Sequence, residues 1–233
     1  MNGASDDPVP GQVTASRDAE TALATPLTAV QRVYAHVREG VLAGEFEEGA
    51  MLSENQIAAE LGVSRTPVRE AFVQLQGQGY LRLYPRRGAL VVPVSLSEIT
   101  AVLETRWAVE RHAIERLATT EQAGGLAAMR EAIDRQAALL AADEMVAFSA
   151  TDREFHRAAV VATGNLILLE LYDSLRDRQR RMVQGTVASD PTIADDILVE
   201  HRAILDATAA GDASTATRLL QAHLERARQT LVD

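Results

Sequence analysis

The side chains best suited to chemistry are four in the C-terminal half, Asp152, His156, His201 and His223. Asp152 and His156 lie four apart in "TDREFHRAAV", so a helix would present both on one face. His201 follows in "VEHRAIL" and His223 in "QAHLERA". Neutral imidazole nitrogens with a carboxylate suit Zn²⁺, Ni²⁺ or a similar ion. Facing helices of a bundle can bring such residues together. The same spacing also fits three unrelated core or surface histidines, and His36 and His112 sit among ordinary helix residues. An Asp/His₃ ion with an open coordination position can activate water. A metal-dependent enzyme is therefore an alternative to a binding site, although no further Glu or Asp is obviously placed as a general base.

A second group is cationic. "GVSRTPVREA" puts Arg65 and Arg69 four apart, with Ser64 and Thr66 beside them. On a helix both guanidiniums leave from one face, and arginine pairs bidentately with guanine O6 and N7. Taken alone, the pair is equally an ordinary solvated helix face, and Arg86 and Arg87 further on are an ordinary polar turn. The chain as a whole is acidic, with a net charge of -10. Its acidity is unevenly spread: residues 1–94 hold 8 Arg and 11 acids, and residues 95–233 hold 15 Arg and 22 acids. Residues 25–95 alone balance at 7 and 7, so the arginines sit on a nearly neutral stretch.

The elements that must position these groups are mostly helical. Apolar residues make up 47% and aromatics 4%, a composition that favours packed helices over sheets. "LTAVQRVYAHVREGVLA" carries one apolar stripe and ends near Gly44. Ser53 and Gln56 have capping-box spacing ahead of "ENQIAAEL", which Gly62 stops, and Ser64 can cap a third helix. After Gly79 the period changes: "YLRLY", "PRRG" and "ALVVPV" predict a β-hairpin with Arg86 and Arg87 at its tip. Helix, short helix, turn, helix and hairpin in that order predict a winged helix-turn-helix over residues 27–94. Its third helix would enter the major groove. Gly88 would let the wing approach a phosphate or the minor groove closely.

From residue 95 to 233 the pattern predicts an all-helical bundle of six helices, at about 95–118, 124–142, 144–162, 165–185, 192–210 and 212–231. Ser97, Asp143 and Asp212 can cap them, and Asn165 is read as a cap. Residues 1–26 are small and polar and read as a disordered tail without the features of a secretory signal. No apolar run approaches the roughly 20 residues that span a bilayer, so no membrane partner is expected. Cysteine is absent, which excludes disulfides, thiolate metal ligands and cysteine nucleophiles and fits a cytoplasmic protein.

"LSENQIAAELGVSRTPVREAFVQLQGQGYLRLYPRRGALV" resembles the DNA-binding domain of the GntR family of bacterial transcription regulators. "LETRWAVE", "DREFHRAAVVATGN", "EHRAIL" and "GDASTATRLLQAHL" resemble the all-helical FCD effector domain of its FadR subfamily, and six helices resemble the VanR-like branch. The resemblance implies a homodimer, usually a repressor, that reads double-stranded operator DNA as a pseudo-palindrome. It implies base or phosphate contacts by Arg65, Thr66 and Arg69, with Gly88 in the wing. Many family members have arginine where this chain has Asn55, which can still hydrogen-bond but brings no charge. For the bundle, it implies a divalent metal on Asp152, His156, His201 and His223, with zinc first and nickel or another transition metal as alternatives. It also implies a small organic acid effector engaged by Arg106, which could equally form a salt bridge with Glu110 one turn on. A bundle that only dimerises is the remaining alternative.

Overall fold

The computed structural model describes residues 26–120, 123–182 and 191–232. The tail expected over residues 1–26 lies outside these up to residue 25, as does Gly185. Helix α1 runs Ala29–Ala43 behind a capping box between Thr28 and Gln31, which the sequence pattern did not single out. Thr28 Oγ1 accepts from the Gln31 amide at 3.2 Å, and Gln31 Oε1 accepts from the Thr28 amide at 2.9 Å. Gly44 ends the helix in the left-handed region at φ 78°, the conformation glycine adopts at least cost.

A two-residue strand β1 (Met51–Leu52) leads into α2 (Glu54–Leu61), and α3 is Arg65–Gly77. Ser53 and Ser64 occupy the two N-cap positions with extended backbone, yet neither side chain makes a capping hydrogen bond. The capping box expected from Ser53 and Gln56 is thus not formed. The negative charge of Glu54 lies in the first turn of α2 instead, where the helix dipole favours it. Strands β2 (Leu81–Tyr84) and β3 (Gly88–Val91) form the expected hairpin, and β1 adds to its far side to give an antiparallel sheet ordered β1-β3-β2. Two residues are too few to show alternation, so β1 left no signal in the sequence.

Seven helices follow among the described residues: α4 (Leu96–Thr119), α5 (Ala123–Ala141), α6 (Met145–Ala162), α7 (Leu166–Ser174), α8 (Arg176–Met182), α9 (Pro191–Ala209) and α10 (Ala213–Val232). The single helix expected over 165–185 is broken at Leu175, so helix count gives no support for the VanR-like branch. Two caps also differ from expectation. Ser95, not Ser97, caps α4, and Asp143 takes a left-handed backbone at φ 60° while Glu144 holds the cap position of α6. Asp212 does accept from the Thr215 amide at 2.9 Å, and Asn165 caps α7 through the Ile167 and Leu168 amides.

The buried side chains form two separate cores. One joins Val33, Val37, Ile57, Val68, Phe72 and Leu81 beneath the small sheet. The other joins Val109, Met129, Phe148, Phe155, Ile204 and Leu220 along the bundle axis. Each large side chain fully buried this way stabilises its core by about 1.5–3 kcal/mol. In the bundle α5 packs along α6, and α10 packs along both α4 and α9. That arrangement turns the inner faces of α4, α6, α9 and α10 towards one another.

Helix α8 joins the two parts. Asp177 accepts from Arg38 Nε at 2.9 Å and Nη2 at 2.6 Å, and from the Tyr80 hydroxyl at 2.5 Å. Arg181 donates from Nη2 to the Val92 carbonyl at 2.6 Å, and its guanidinium lies 5.5 Å from the centre of the Tyr80 ring.

Candidate functional site

One ligand atom from each of Asp152, His156, His201 and His223 lies within 4.8 Å of the others. Helix α6 supplies Asp152 and His156 from adjacent turns, α9 supplies His201, and α10 supplies His223. The three rings stand 4.9–5.0 Å apart between centroids, and Phe155 stacks on His201 at 4.0 Å. All three histidines are buried, while Asp152 stays partly exposed.

Each imidazole is held on its outer nitrogen by a different helix. His201 Nδ1 lies 2.8 Å from Gln136 Oε1 on α5, and His223 Nδ1 lies 2.6 Å from Glu200 Oε2 on α9. His156 Nδ1 sits 2.8 Å from Glu110 Oε2 on α4, a contact off the line of a good hydrogen bond. An acceptor at Nδ1 keeps the proton there and leaves the Nε2 lone pair for the interior. Nε2 of His156 and of His201 are buried without a hydrogen-bond partner among the described residues; the nearest acid to the latter is Asp152 Oδ1 at 3.4 Å. A buried ring nitrogen left unpaired carries a desolvation cost. A cation among these four groups would remove it, so the donor set fits a metal that takes nitrogen and oxygen ligands.

The electrostatics agree with that fit. Burial, followed by the nearby His223 and His156, pushes the His201 imidazolium well below the ordinary histidine value. Burial likewise lowers His156 in spite of Glu110. Both rings are then neutral, as ligation requires. Burial alone would raise Glu110, but Arg106 and His156 outweigh it and hold the carboxylate well below the usual range.

Arg106 projects from α4 into the same interior. Its Nε donates to Glu110 Oε1 at 2.7 Å, which is the salt bridge the sequence offered as the alternative to an effector role. Its Nη2 is buried without a partner among the described residues, and so is the Tyr172 hydroxyl of α7. Burial, and then the Glu110 charge, raises the Tyr172 phenol far above its ordinary value, so it remains a neutral donor.

In the N-terminal part, Ser64, Arg65, Thr66 and Arg69 are exposed along the start of α3, and Asn55 is exposed on α2. Arg86 and Arg87 are exposed at the hairpin tip, where Arg86 adopts φ 64°. A groove of about 350 Å³ separates α3 from the hairpin and is bordered by Glu54, Arg69, Tyr84 and Arg86. Gly88 has a requirement of its own: at φ 106°, a Cβ there would come within 2.2 Å of the Leu52 carbonyl oxygen. The sheet therefore needs glycine at 88 whether or not DNA comes near.

Sequence reasoning missed Gln136 and Glu200 as partners of the histidines, gave Glu110 only to Arg106, and passed over Glu54 and Tyr172. Glu110 follows Arg106 by one turn and so carried a local hint, whereas Glu200 lies 23 residues from its partner His223 and carried none. Gln136 carried none either. Glu54 Oε2 accepts from Arg65 Nη2 at 3.0 Å and from Arg69 Nε at 2.7 Å. Burial would raise this carboxyl, but the two arginines hold it below the ordinary glutamate value.

Among known proteins, residues 29–91 match the model for bacterial regulatory proteins of the gntR family, and residues 101–226 match the FCD domain. The chain is 30% identical over 207 residues to the probable D-xylose utilization operon transcriptional repressor of Paenarthrobacter nicotinovorans, covering 89% of this chain and 90% of that one. It is 32% identical over 169 residues to an HTH-type transcriptional regulator of Agrobacterium vitis, covering 66% of this chain and 98% of the relative. A GntR transcriptional regulator from Rhodococcus sp. RHA1 superposes with TM-score 0.71 at 28% identity, over 87% of this chain and 97% of that one.

Proposed function

This chain belongs to the GntR family of bacterial regulatory proteins and carries an FCD domain, so it is a transcription regulator, and we propose that it is a ligand-responsive repressor whose N-terminal head reads DNA and whose bundle senses a small organic acid. Residues 27–94 form the head and residues 95–233 the sensor in this reading. The single observation that supports it best is the convergence of Asp152, His156, His201 and His223, each histidine oriented by its own outer partner. These four would hold a divalent transition metal, with zinc the first candidate because it accepts mixed imidazole and carboxylate ligands. A metal held there would supply a Lewis-acidic position for a carboxylate oxygen.

The chain's own residues do the rest. Glu110, Gln136 and Glu200 fix the rings, and Phe155 packs against His201 and excludes water from that side. Arg106 Nη2 and the Tyr172 hydroxyl, both buried donors without partners among the described residues, supply hydrogen bonds to an acid's oxygens. In the head, Arg65, Thr66 and Arg69 reach base edges or phosphates of an operator. Ser64, Asn55, Arg86, Arg87 and the backbone at Gly88 contribute positioning contacts. Two copies related by a two-fold axis would read a pseudo-palindrome, with half-site spacing set by the dimer. The acid, bound more tightly to one arrangement of head and bundle, shifts the population competent for DNA. As a regulator of transcription it acts on DNA in the cytoplasm.

The experiment combines three measurements on the full chain: metal content, DNA retention on genomic fragments, and release of those fragments by a panel of mono-, di- and hydroxy acids. We expect about one metal per chain, sequence-selective retention and release by at least one acid class. Retention without metal and without any acid response would reduce the bundle to a dimerisation device. Turnover of an acid that disappears in His201→Ala while DNA binding survives would favour the enzyme reading.

A further inference from the structure

Glu54 opens α2, yet its side chain belongs functionally to α3. One carboxylate oxygen takes both arginines of the reading face, Arg65 through Nη2 and Arg69 through Nε. Arg69 thereby gives up its side edge and keeps its Nη1/Nη2 fork, the edge that pairs with guanine O6 and N7. Both arginine side chains are more than half exposed, so these ion pairs contribute little to stability. What they do supply is direction. Untethered, an arginine side chain keeps its rotamer freedom and can turn to a nearby phosphate as well as to a base. Glu54 also borders the groove between α3 and the hairpin, beside Arg69 and Arg86, so its charge offsets part of the pull those arginines exert on a phosphate there.

We propose that Glu54 is a specificity-determining positioning residue, whose carboxylate aims Arg65 and Arg69 at base edges and holds them back from non-cognate phosphates. This rests on the reading of α3 as the helix that enters the major groove. It gives an acidic side chain a positive role on a DNA-binding face. Cognate base edges meet the fork that Glu54 leaves free, whereas a non-cognate sequence offers mainly phosphates, whose pull on the arginines Glu54 weakens. Discrimination then comes from lowering non-specific affinity as well as raising specific affinity.

The test uses the full chain and two probes, a duplex enriched by the wild-type protein from a random-sequence pool and the unselected pool itself. We expect Glu54→Gln to stay folded, with only a small drop in melting temperature from the lost first-turn charge of α2, and to bind the unselected pool at least as tightly as wild type. Its preference for the enriched duplex should fall about tenfold. Glu54→Asp, too short to reach both guanidiniums, serves as the second variant and should also lose preference. A preference unchanged in both variants overturns the proposal. So does a Glu54→Gln protein that loses affinity for both probes in proportion, which would mark a merely structural role. If the wild-type protein enriches no sequence, the reading of α3 itself fails, and the role assigned to Glu54 fails with it.

Discussion

Gln136 Oε1 lies 2.8 Å from His201 Nδ1, joining α5 to α9 inside the bundle. Both side chains are fully buried. A neutral amide carbonyl can only accept, so the His201 proton sits on Nδ1 and its Nε2 lone pair faces Asp152, His156 and His223. Replacing Gln136 by Leu keeps the volume and removes the acceptor. The expected result is a metal affinity lower by about 10–100-fold, read by competition against a chelator, in a protein that still folds. Unchanged affinity would show that the other ring contacts orient His201 without Gln136.

Glu110 serves two partners at once, Arg106 through Oε1 and His156 through Oε2. Its side chain is 1% exposed, so Glu110→Leu would leave Arg106 as a buried charge without compensation. We expect a loss of about 3–5 kcal/mol in unfolding free energy, measured by denaturant titration. The double variant Glu110→Leu/Arg106→Leu should recover most of that loss, because the penalty lies in the unpaired charge. Failure to recover would mean that the His156 contact, and not the ion pair, dominates.

How much of this was legible in the sequence depends on how local each feature is. Gly44 and Gly62 end helices by adopting φ 78° and 63°, a property of the residue itself, and both were read correctly. The alternation in "YLRLY" and the turn "PRRG" gave the hairpin for the same reason. The break at Leu175 was not legible, since "LILLELYDSLRDRQRRM" continues in good helix formers. There α8 turns aside to dock Asp177 and Arg181 against the head, a tertiary effect that outweighs propensity. Similarly, the histidines could be picked out by type and spacing, but Gln136 is 65 residues from His201 and shares no pattern with it.

Arg65 and Arg69 carry the groove reading directly. Arg65→Ala and Arg69→Ala should each weaken binding to an enriched duplex by about 1–3 kcal/mol, measured by gel shift at fixed salt. Because residues 25–95 balance at 7 Arg and 7 acids, binding to unselected DNA should be weak and readily lost as salt rises. Unchanged affinity for the enriched duplex in both variants would remove α3 from the groove.

The junction at α8 gives a prediction with a definite pH direction. Burial alone would raise the Asp177 carboxyl, but the Tyr80 hydroxyl and Arg38 outweigh it, and its pKa is lowered from the ordinary value of 3.8. The folded form thus prefers Asp177 ionised. The stability this contributes is fully present above about pH 4 and is lost as pH falls through the lowered value. Asp177→Asn removes the charge at every pH while keeping an acceptor for Tyr80. It should lower the melting temperature at pH 7 and flatten the acid limb of the stability profile below about pH 4. Since α8 is the element that holds Arg38 and the Val92 carbonyl, the same variant should loosen the head from the bundle. Hydrogen exchange would read this as faster exchange in α1 and α8 with the bundle core around Phe155 unchanged. An acid limb as steep as wild type would show that Asp177 does not control this junction, whatever its distances to Arg38 and Tyr80.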